Sequence, residues 1–244
     1  MTAAPRAAAP RVVSLVPSAT ETLYALGVEP VGVTRFCDRR GPVAVGGTKN
    51  PDLAAVVALG PDLVVVNDEE NRRADADALA AAGCALHSMS PRSVADVGPE
   101  VRALAERLGR PVPTPFSAGE WEEWMASVVS PHYWDAFVAV WRRPWMSLAA
   151  DTYGSSLLDL LGVHNVFADS LVRYPEVTLD EVAARAPNVV LLPSEPYEFG
   201  ERHAAEVRAA LGSVPVRFVD GRDLFWWGAR TPAAAGRLRA ALSR

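Results

Sequence analysis

Lysine is almost missing from this chain. Lys49 is the single example, so its 24 basic residues are nearly all arginine, a bias that fits a GC-rich coding sequence and carries no functional weight. Acidic residues outnumber them, and the net charge of −5 with a pI near 5.4 excludes a dedicated nucleic-acid surface, which needs concentrated Lys and Arg. The basic clusters are short: Arg39-Arg40, Arg72-Arg73 and Arg142-Arg143. Cysteine is scarce too. Cys37 and Cys84 lie far apart without CxxC spacing, which excludes a zinc site and a redox motif and leaves two buried or half-buried free thiols. The four histidines show no HxxxH or HExxH spacing, and no GxSxG, P-loop or GxGxxG is present, so neither a metal site nor an intrinsic cofactor is expected. No apolar run approaches the roughly 18 residues needed to cross a bilayer, so no membrane insertion is expected. The opening MTAAPRAAAPRVVSL has no apolar stretch before the first strand. The expectation is therefore a cytoplasmic chain as written, periplasmic or at the cell surface if the N-terminus is incomplete.

What is present is apolar and repetitive. Half of the 244 residues are apolar and 22% are charged, the composition of a globular chain long enough for one large domain or two smaller ones. Short runs rich in β-branched residues alternate with helical stretches: RVVSLV, VGVT, DLVVVN and CALHSM early, FVAVW, NVFA, NVVLLP and VRFVD late. This alternation predicts an α/β fold of parallel sheets flanked by helices. The halves also resemble each other. LYALGV (23–28) matches LDLLGV (158–163), each closing a helix on a Gly suited to a left-handed cap, and PDLVVVNDE (61–69) matches PNVVLLPSE (187–195) without a gap. Asn-Pro-Asp and Tyr-Pro-Glu introduce the helix before each of the latter runs, with proline expected in the first turn. Two similar lobes follow, 11–92 and 135–244, with a helical connector at 93–134 whose pattern PVPTP interrupts. Two lobes imply a crevice, and ligands of open parallel sheets sit beyond the carboxyl ends of the strands.

The candidate residues are those at predicted strand ends. Pro17, Ser18, Ala19 and Thr20 follow the first strand. Ser18 reads as an N-cap with Glu21 completing a capping box, and helix termination alone accounts for both, yet the turn also offers first-turn N–H groups to a ligand. Glu69 and Glu195 are equivalents in the repeat, as solvated strand-end glutamates or as cleft and docking residues, with no sign of the tuned setting that acid-base catalysis needs. All seven tryptophans lie beyond the first lobe. Trp141, Trp145, Trp226 and Trp227 follow predicted strands, where rings with a polar N–H suit a flat or bulky ligand, whereas Trp121 and Trp124 at helical spacing read as packing.

RVVSLVPSATETLYALGVEPVGVTRFCD, then VGGTKNPDLAAVVALGPDLVVVNDEEN, and later DTYGSSLLDLLGVHNVFAD, RYPEVTLDEVAARAPNVVLLPSEP and DGRDLFWWGARTP, resemble the substrate-binding proteins of ABC transporters for cobalamin, haem and iron-siderophores, the cobalamin-binding branch most of all. The resemblance covers about 11–109 and 135–244 and rests on the order of the motifs. It implies two α/β lobes joined by a long helix, and a cleft ligand contacted by Pro17 to Thr20, Arg35 and Phe36, Glu69, Glu70 and Asn71, and the loop Trp226, Trp227 and Arg230; Tyr197, just beyond Glu195, is a further candidate contact. Such proteins dock on a permease through one acidic residue per lobe; Arg72-Arg73 stand near the first position, leaving Glu69 or Glu70 to serve. The expected protein is a monomer that captures a corrinoid, or else haem or a ferric siderophore, without chemistry. The rivals are a chelate-handling enzyme using Glu69, Glu195 or Cys37, a direct metal-ion receptor, and a cytoplasmic sensor on the same fold.

Overall fold

A computed structural model describes residues 10–38 and 41–243. The Arg39-Arg40 cluster and most of the opening segment, on which the expectation about a leader rests, lie outside the described residues. The chain forms two compact units: one runs up to Ser90 and includes Pro99–Ser117, the other combines Pro91–Gly98 with Ala118 onward.

The first unit is built on five parallel strands, β1 (Val12–Ser14), β2 (Gly32–Val33), β3 (Val43–Ala44), β4 (Leu63–Val66) and β5 (Leu86–Ser88), in the spatial order β3-β2-β1-β4-β5. β1 pairs with β4 in the register Val13 to Val64 and with β2 in the register Val13 to Gly32. Helices α1 (Pro17–Ala25), α2 (Leu53–Ala58) and α3 (Arg73–Ala81) provide the connections. Every residue of β1 and β4 is buried, as expected of strands covered on both faces. Val13, Leu15, Val45, Val56, Val64, Val66 and Leu79 form this unit's core.

α4 (Val94–Arg107) begins in the second unit and ends in the first, with Pro99 inside it. At its start Ser93 Oγ accepts from Asp96 N–H (3.3 Å) while the Asp96 carboxylate accepts from Ser93 N–H (2.9 Å), the reciprocal capping its sequence predicts. α5 (Ala118–Val128) follows a helix-free stretch containing PVPTP, and there Trp121 is fully buried and stacked on Trp124 at 4.6 Å.

The second unit carries β6 (Trp134–Val138), β8 (Val163–Asn165), β10 (Val189–Pro193) and β11 (Val216–Val219), all parallel, in the order β11-β10-β6-β8. A separate antiparallel pair, β7 (Trp145–Met146) with β9 (Glu176–Val177), follows the end of β6. Its helices are α6 (Tyr153–Leu160), α7 (Leu179–Ala184), α8 (Glu201–Leu211), α9 (Gly221–Phe225) and α10 (Thr231–Leu242).

The repeat therefore extends to topology. Read from β8, the second sheet runs β8-β6-β10-β11 and superposes in order on β2-β1-β4-β5, with no counterpart of β3. PDLVVVNDE and PNVVLLPSE become β4 and β10, each beside the first strand of its unit, where strand order reverses. Both predicted helix caps form. Gly27 (φ +68°) follows α1, with Val28 N–H donating to Leu23 O (2.9 Å) and Gly27 N–H to Tyr24 O (3.0 Å); Gly162 (φ +79°) follows α6.

Three expectations are corrected. Val16, not Ser18, is the N-cap of α1: Pro17 takes the first helical position, Thr20 N–H already donates to Val16 O (3.0 Å), and no side chain caps the end. Because Pro17 has no N–H to satisfy, the helix can open two residues earlier than the Ser18-Glu21 pattern suggests. Pro51 and Pro175 precede their helices, whose N-caps are Asp52 and Thr178. The strand expected at NVFA lies earlier, at Val163–Asn165, because Asn165 turns inward to donate to Leu148 O and Ser155 Oγ.

Candidate functional site

The switch points of the two sheets place most candidate residues at strand carboxyl ends, where the order of strands opens room for a ligand. In the first unit the end of β1 runs into Pro17, Ser18, Ala19 and Thr20, all buried. Thr20 Oγ1 lies within hydrogen-bonding distance of Ser14 Oγ (2.9 Å), Val16 O (2.9 Å) and Cys37 Sγ (3.1 Å), while Ser18 Oγ is buried without a hydrogen-bond partner. An orphaned hydroxyl there is unusual, since buried polar atoms are as a rule satisfied. Burial pushes the Cys37 thiol up in pKa against the hydrogen bonds of Thr20 and Thr34. A thiol held neutral in this way is a poor nucleophile, which argues against its use in chelate chemistry.

After β2, Arg35 and Phe36 are exposed, with the guanidinium 4.9 Å from the ring centroid. A Cβ at Gly47 would come within 3.4 Å of both side chains, so the loop after β3 supports this pair from beneath. The end of β4 is tied most tightly. Asn67 Oδ1 accepts from the N–H groups of Glu69 (2.8 Å) and Glu70 (2.9 Å), its Nδ2 donates to Met89 O (2.7 Å), and Asn71 Oδ1 accepts from Asn67 N–H (2.8 Å). Asn71 Nδ2 donates to Leu15 O (3.2 Å) and Thr48 O (3.0 Å), and Lys49 Nζ donates to Glu69 O. Asn71 thus joins the ends of β1 and β4 to the loop after β3, and its amide is engaged by the fold; Glu69 is exposed and Glu70 half-buried on the turn it stabilises. Arg72 and Arg73 pair along α3 with Asp75 and Asp77.

In the second unit the end of β6 leads to Trp141, 42% exposed, whose ring meets Tyr197 edge-on at 5.3 Å. Trp145 is instead a core residue, 5% exposed and stacked on Phe199 at 5.7 Å. Arg142 lies over Trp145 at 4.8 Å and pairs with Glu206, whose carboxyl this contact holds below its ordinary range. Tyr197, half-buried, lies 3.2 Å from His203 Nε2. His203 Nδ1 accepts from Gly200 N–H (3.0 Å), and burial followed by the charge of Arg202 depresses the ring's pKa.

The loop after β11 holds the strongest constellation. Gly221 N–H donates to Ser194 Oγ (3.0 Å), and a Cβ at Gly221 would stand 2.4 Å from Glu195 N, so glycine lets α9 rest on the end of β10. Glu195 accepts from Arg222 Nε at 3.0 Å. The guanidinium groups of Arg222 and Arg230 lie 4.8 Å and 5.5 Å from the half-buried Trp226 ring, within cation–π range. Trp227 is 6% exposed and packs inward. Arg222, Asp223, Gly221 and Asn67 escape a reading of strand ends, because their roles depend on partners distant in sequence. RDLFWWGAR carried the one available signal, charge set around an aromatic pair.

Among the described residues no group of three or more His, Cys, Asp or Glu could hold a metal ion, and no helix is long and apolar enough to cross a membrane. The family model for periplasmic binding proteins matches residues 12–206. The chain belongs to that family. Among curated relatives it is 28% identical over 193 residues to the vitamin B12-binding protein of Salmonella choleraesuis, covering 76% of this chain and 73% of that protein, and 27% identical over 198 residues to that of Yersinia pestis, covering 77% and 71%. Its fold is shared with the periplasmic vitamin B12-binding protein of Vibrio cholerae (TM-score 0.75, 21% identity, 96% of each chain) and the periplasmic haem-binding protein of the same organism (TM-score 0.79, 17% identity, 97% of this chain and 100% of that one). Membership makes the chain a binding protein of α/β architecture, the fold class and family its motifs suggest.

Proposed function

We propose that this protein captures a bulky metal chelate reversibly, a corrinoid first and haem or a ferric siderophore after it, and delivers it to an ABC-transporter permease without making or breaking a bond. The observation that carries the reading is Trp226, half-buried at the end of the short helix α9 that follows β11 and attended by two guanidinium groups, in a chain whose curated relatives are named for vitamin B12. An indole with fixed cations nearby offers apolar area to a macrocycle and polar contact to its rim. Arg35 and Phe36 in the first unit, and Trp141 and Tyr197 in the second, supply further exposed or half-buried surface of the same kind. Pro17 to Thr20 contribute the uncapped first turn of α1, with the orphaned Ser18 hydroxyl. Glu69 or Glu70 in one unit and Glu195 in the other are the proposed permease contacts, and the protein acts as a monomer on whichever side of the membrane that partner presents. The metal arrives inside the ligand.

The test is titration with cyanocobalamin, haemin and a ferric siderophore, followed by tryptophan quenching and absorption. Saturation at one equivalent with one of them is expected, with affinity at least tenfold weaker in Trp226→Ala and in Arg35→Ala. Absence of binding to all three sinks the proposal.

A further inference from the structure

The Trp226 loop is held from below by a carboxylate that cannot reach the surface. Asp223, on α9, is 3% exposed. Arg237 of α10 grips it at two points, Nε to Oδ2 and Nη2 to Oδ1, both 2.6 Å, and Arg230 Nη1 donates to the same Oδ1 at 2.8 Å. The chain between them, from Trp226 to Arg230, is therefore closed by a charged clasp from α9 to the start of α10. Nearby, Tyr153 Oη and Thr231 Oγ1 are 2.9 Å apart, and a Cβ on Gly154 would touch the Phe225 ring at 3.1 Å, so α6 fixes the same corner. A carboxylate gripped in a fork by one guanidinium is a rigid acceptor for a second. Arg230 is the second, and its side chain, 17% exposed, is also the one set 5.5 Å from Trp226.

We propose that Asp223 is the positioning residue of the ligand site: by fixing Arg230 it sets the geometry in which that guanidinium and the Trp226 indole meet the chelate. This rests on the reading of Trp226 and Arg230 as ligand contacts. Asp223 itself touches no ligand; its effect passes through Arg230.

Asp223→Asn keeps the volume and removes the charge, and Arg237, with a side chain 52% exposed, can return to water, so the variant is expected to fold. Affinity for cyanocobalamin, haemin or the ferric siderophore, whichever the wild type binds, should fall at least tenfold in Asp223→Asn and by less than twofold when the same change is made in an Arg230→Ala background. In ligand-free protein the emission component of Trp226, isolated by subtracting the Trp226→Phe spectrum, should shift in Asp223→Asn. Unchanged affinity, an equal loss in both backgrounds, or an unmoved Trp226 component overturns the proposal. If the wild type binds none of cyanocobalamin, haemin and the ferric siderophore, the ligand reading fails by itself and the Trp226 component alone decides whether Asp223 positions the loop. If Asp223→Asn does not fold, Arg237→Lys, which gives up the two-point grip, should show the same Arg230-dependent loss, and its absence overturns the assignment.

Discussion

Asn71 and Tyr197 occupy the same place in the repeat, four residues beyond the matched positions Asn67 and Pro193, and they do opposite things. Asn71 turns inward and uses its amide to knit three segments of the first unit together. Tyr197 stays half-buried against Trp141, Phe199 and His203. The strands before them are alike because both must be buried on two faces; the residues after them answer to different needs. In the first unit the turn is stiffened mainly by its own asparagine side chains, which reach Leu15, Thr48 and Met89, whereas in the second it is supported by the backbone of Gly221 and the guanidinium of Arg222. A repeated frame can thus carry one polar turn tied by its own side-chain amides and one aromatic turn braced by the loop that follows β11.

Replacing the two equivalents tests this division most sharply. Asn71→Ala should destabilise the protein by about 3 kcal/mol, because one backbone N–H and two carbonyls lose a buried partner at roughly 1 kcal/mol each. Tyr197→Phe should cost about 1 kcal/mol or less, having only the contact with His203 to lose. Equal losses in denaturant unfolding would break the comparison. Gly221→Ala comes next, at about 2 kcal/mol: its new methyl would meet Glu195 backbone atoms that have no flexible end to swing away, a form of overpacking. The turn after β4 is held by side-chain amides rather than by a close backbone approach, so the resonances shifted by Gly221→Ala should centre on Glu195 and leave the Asn67 to Asn71 turn unmoved.

Much of the frame is legible from the sequence because parallel strands demand continuous apolar runs, and eight runs of that kind mark the eight strands of the two main sheets other than β3. β3, β7 and β9 are two-residue strands whose pairing depends on neighbours and leaves no periodic trace. Val16 as N-cap was hidden for a related reason: Ser18 and Glu21 fit a capping pattern, but proline at position 17 set the register. Among candidate site residues, position after a strand was readable and orientation was not. Trp226 and Trp227 are adjacent and identical in type, yet one is half-buried beside two guanidinium groups and the other packs into the core, a difference fixed by the turn out of α9.

Charge extends the comparison to pH. In the second unit, Asp169 is held low by Arg185, Glu181 by the Thr178 N–H, and Glu206 by Arg142; at Asp223 burial opposes the shift but Arg237 and Arg230 outweigh it. A carboxyl that binds its proton less readily folded than unfolded, where its pKa is about 4, stabilises fully above that value and loses the contribution as pH falls through the lower folded one. Acidification below about pH 4 should therefore unfold the second unit first, and Asp223→Asn should flatten that limb of the stability curve. Hydrogen exchange at pH 3 to 5, read separately for β4 and β10 amides, checks the order; loss of protection in β4 first would refute it.

The smallest effect expected is also the one that separates bracing from stability. Arg222 and Glu195 are each more than a third exposed, so their ion pair should contribute less than about 1 kcal/mol, and Glu195→Gln should shift the denaturation midpoint only slightly, less still at high salt. Arg222 nevertheless stands over Trp226, so freeing it from Glu195 should alter indole emission even where stability barely moves. If Glu195→Gln leaves that emission unchanged, the brace on the aromatic turn comes from Gly221 and Asp223 alone, and the resemblance of Glu195 to Glu69 would be one of surface position rather than of opposite structural use.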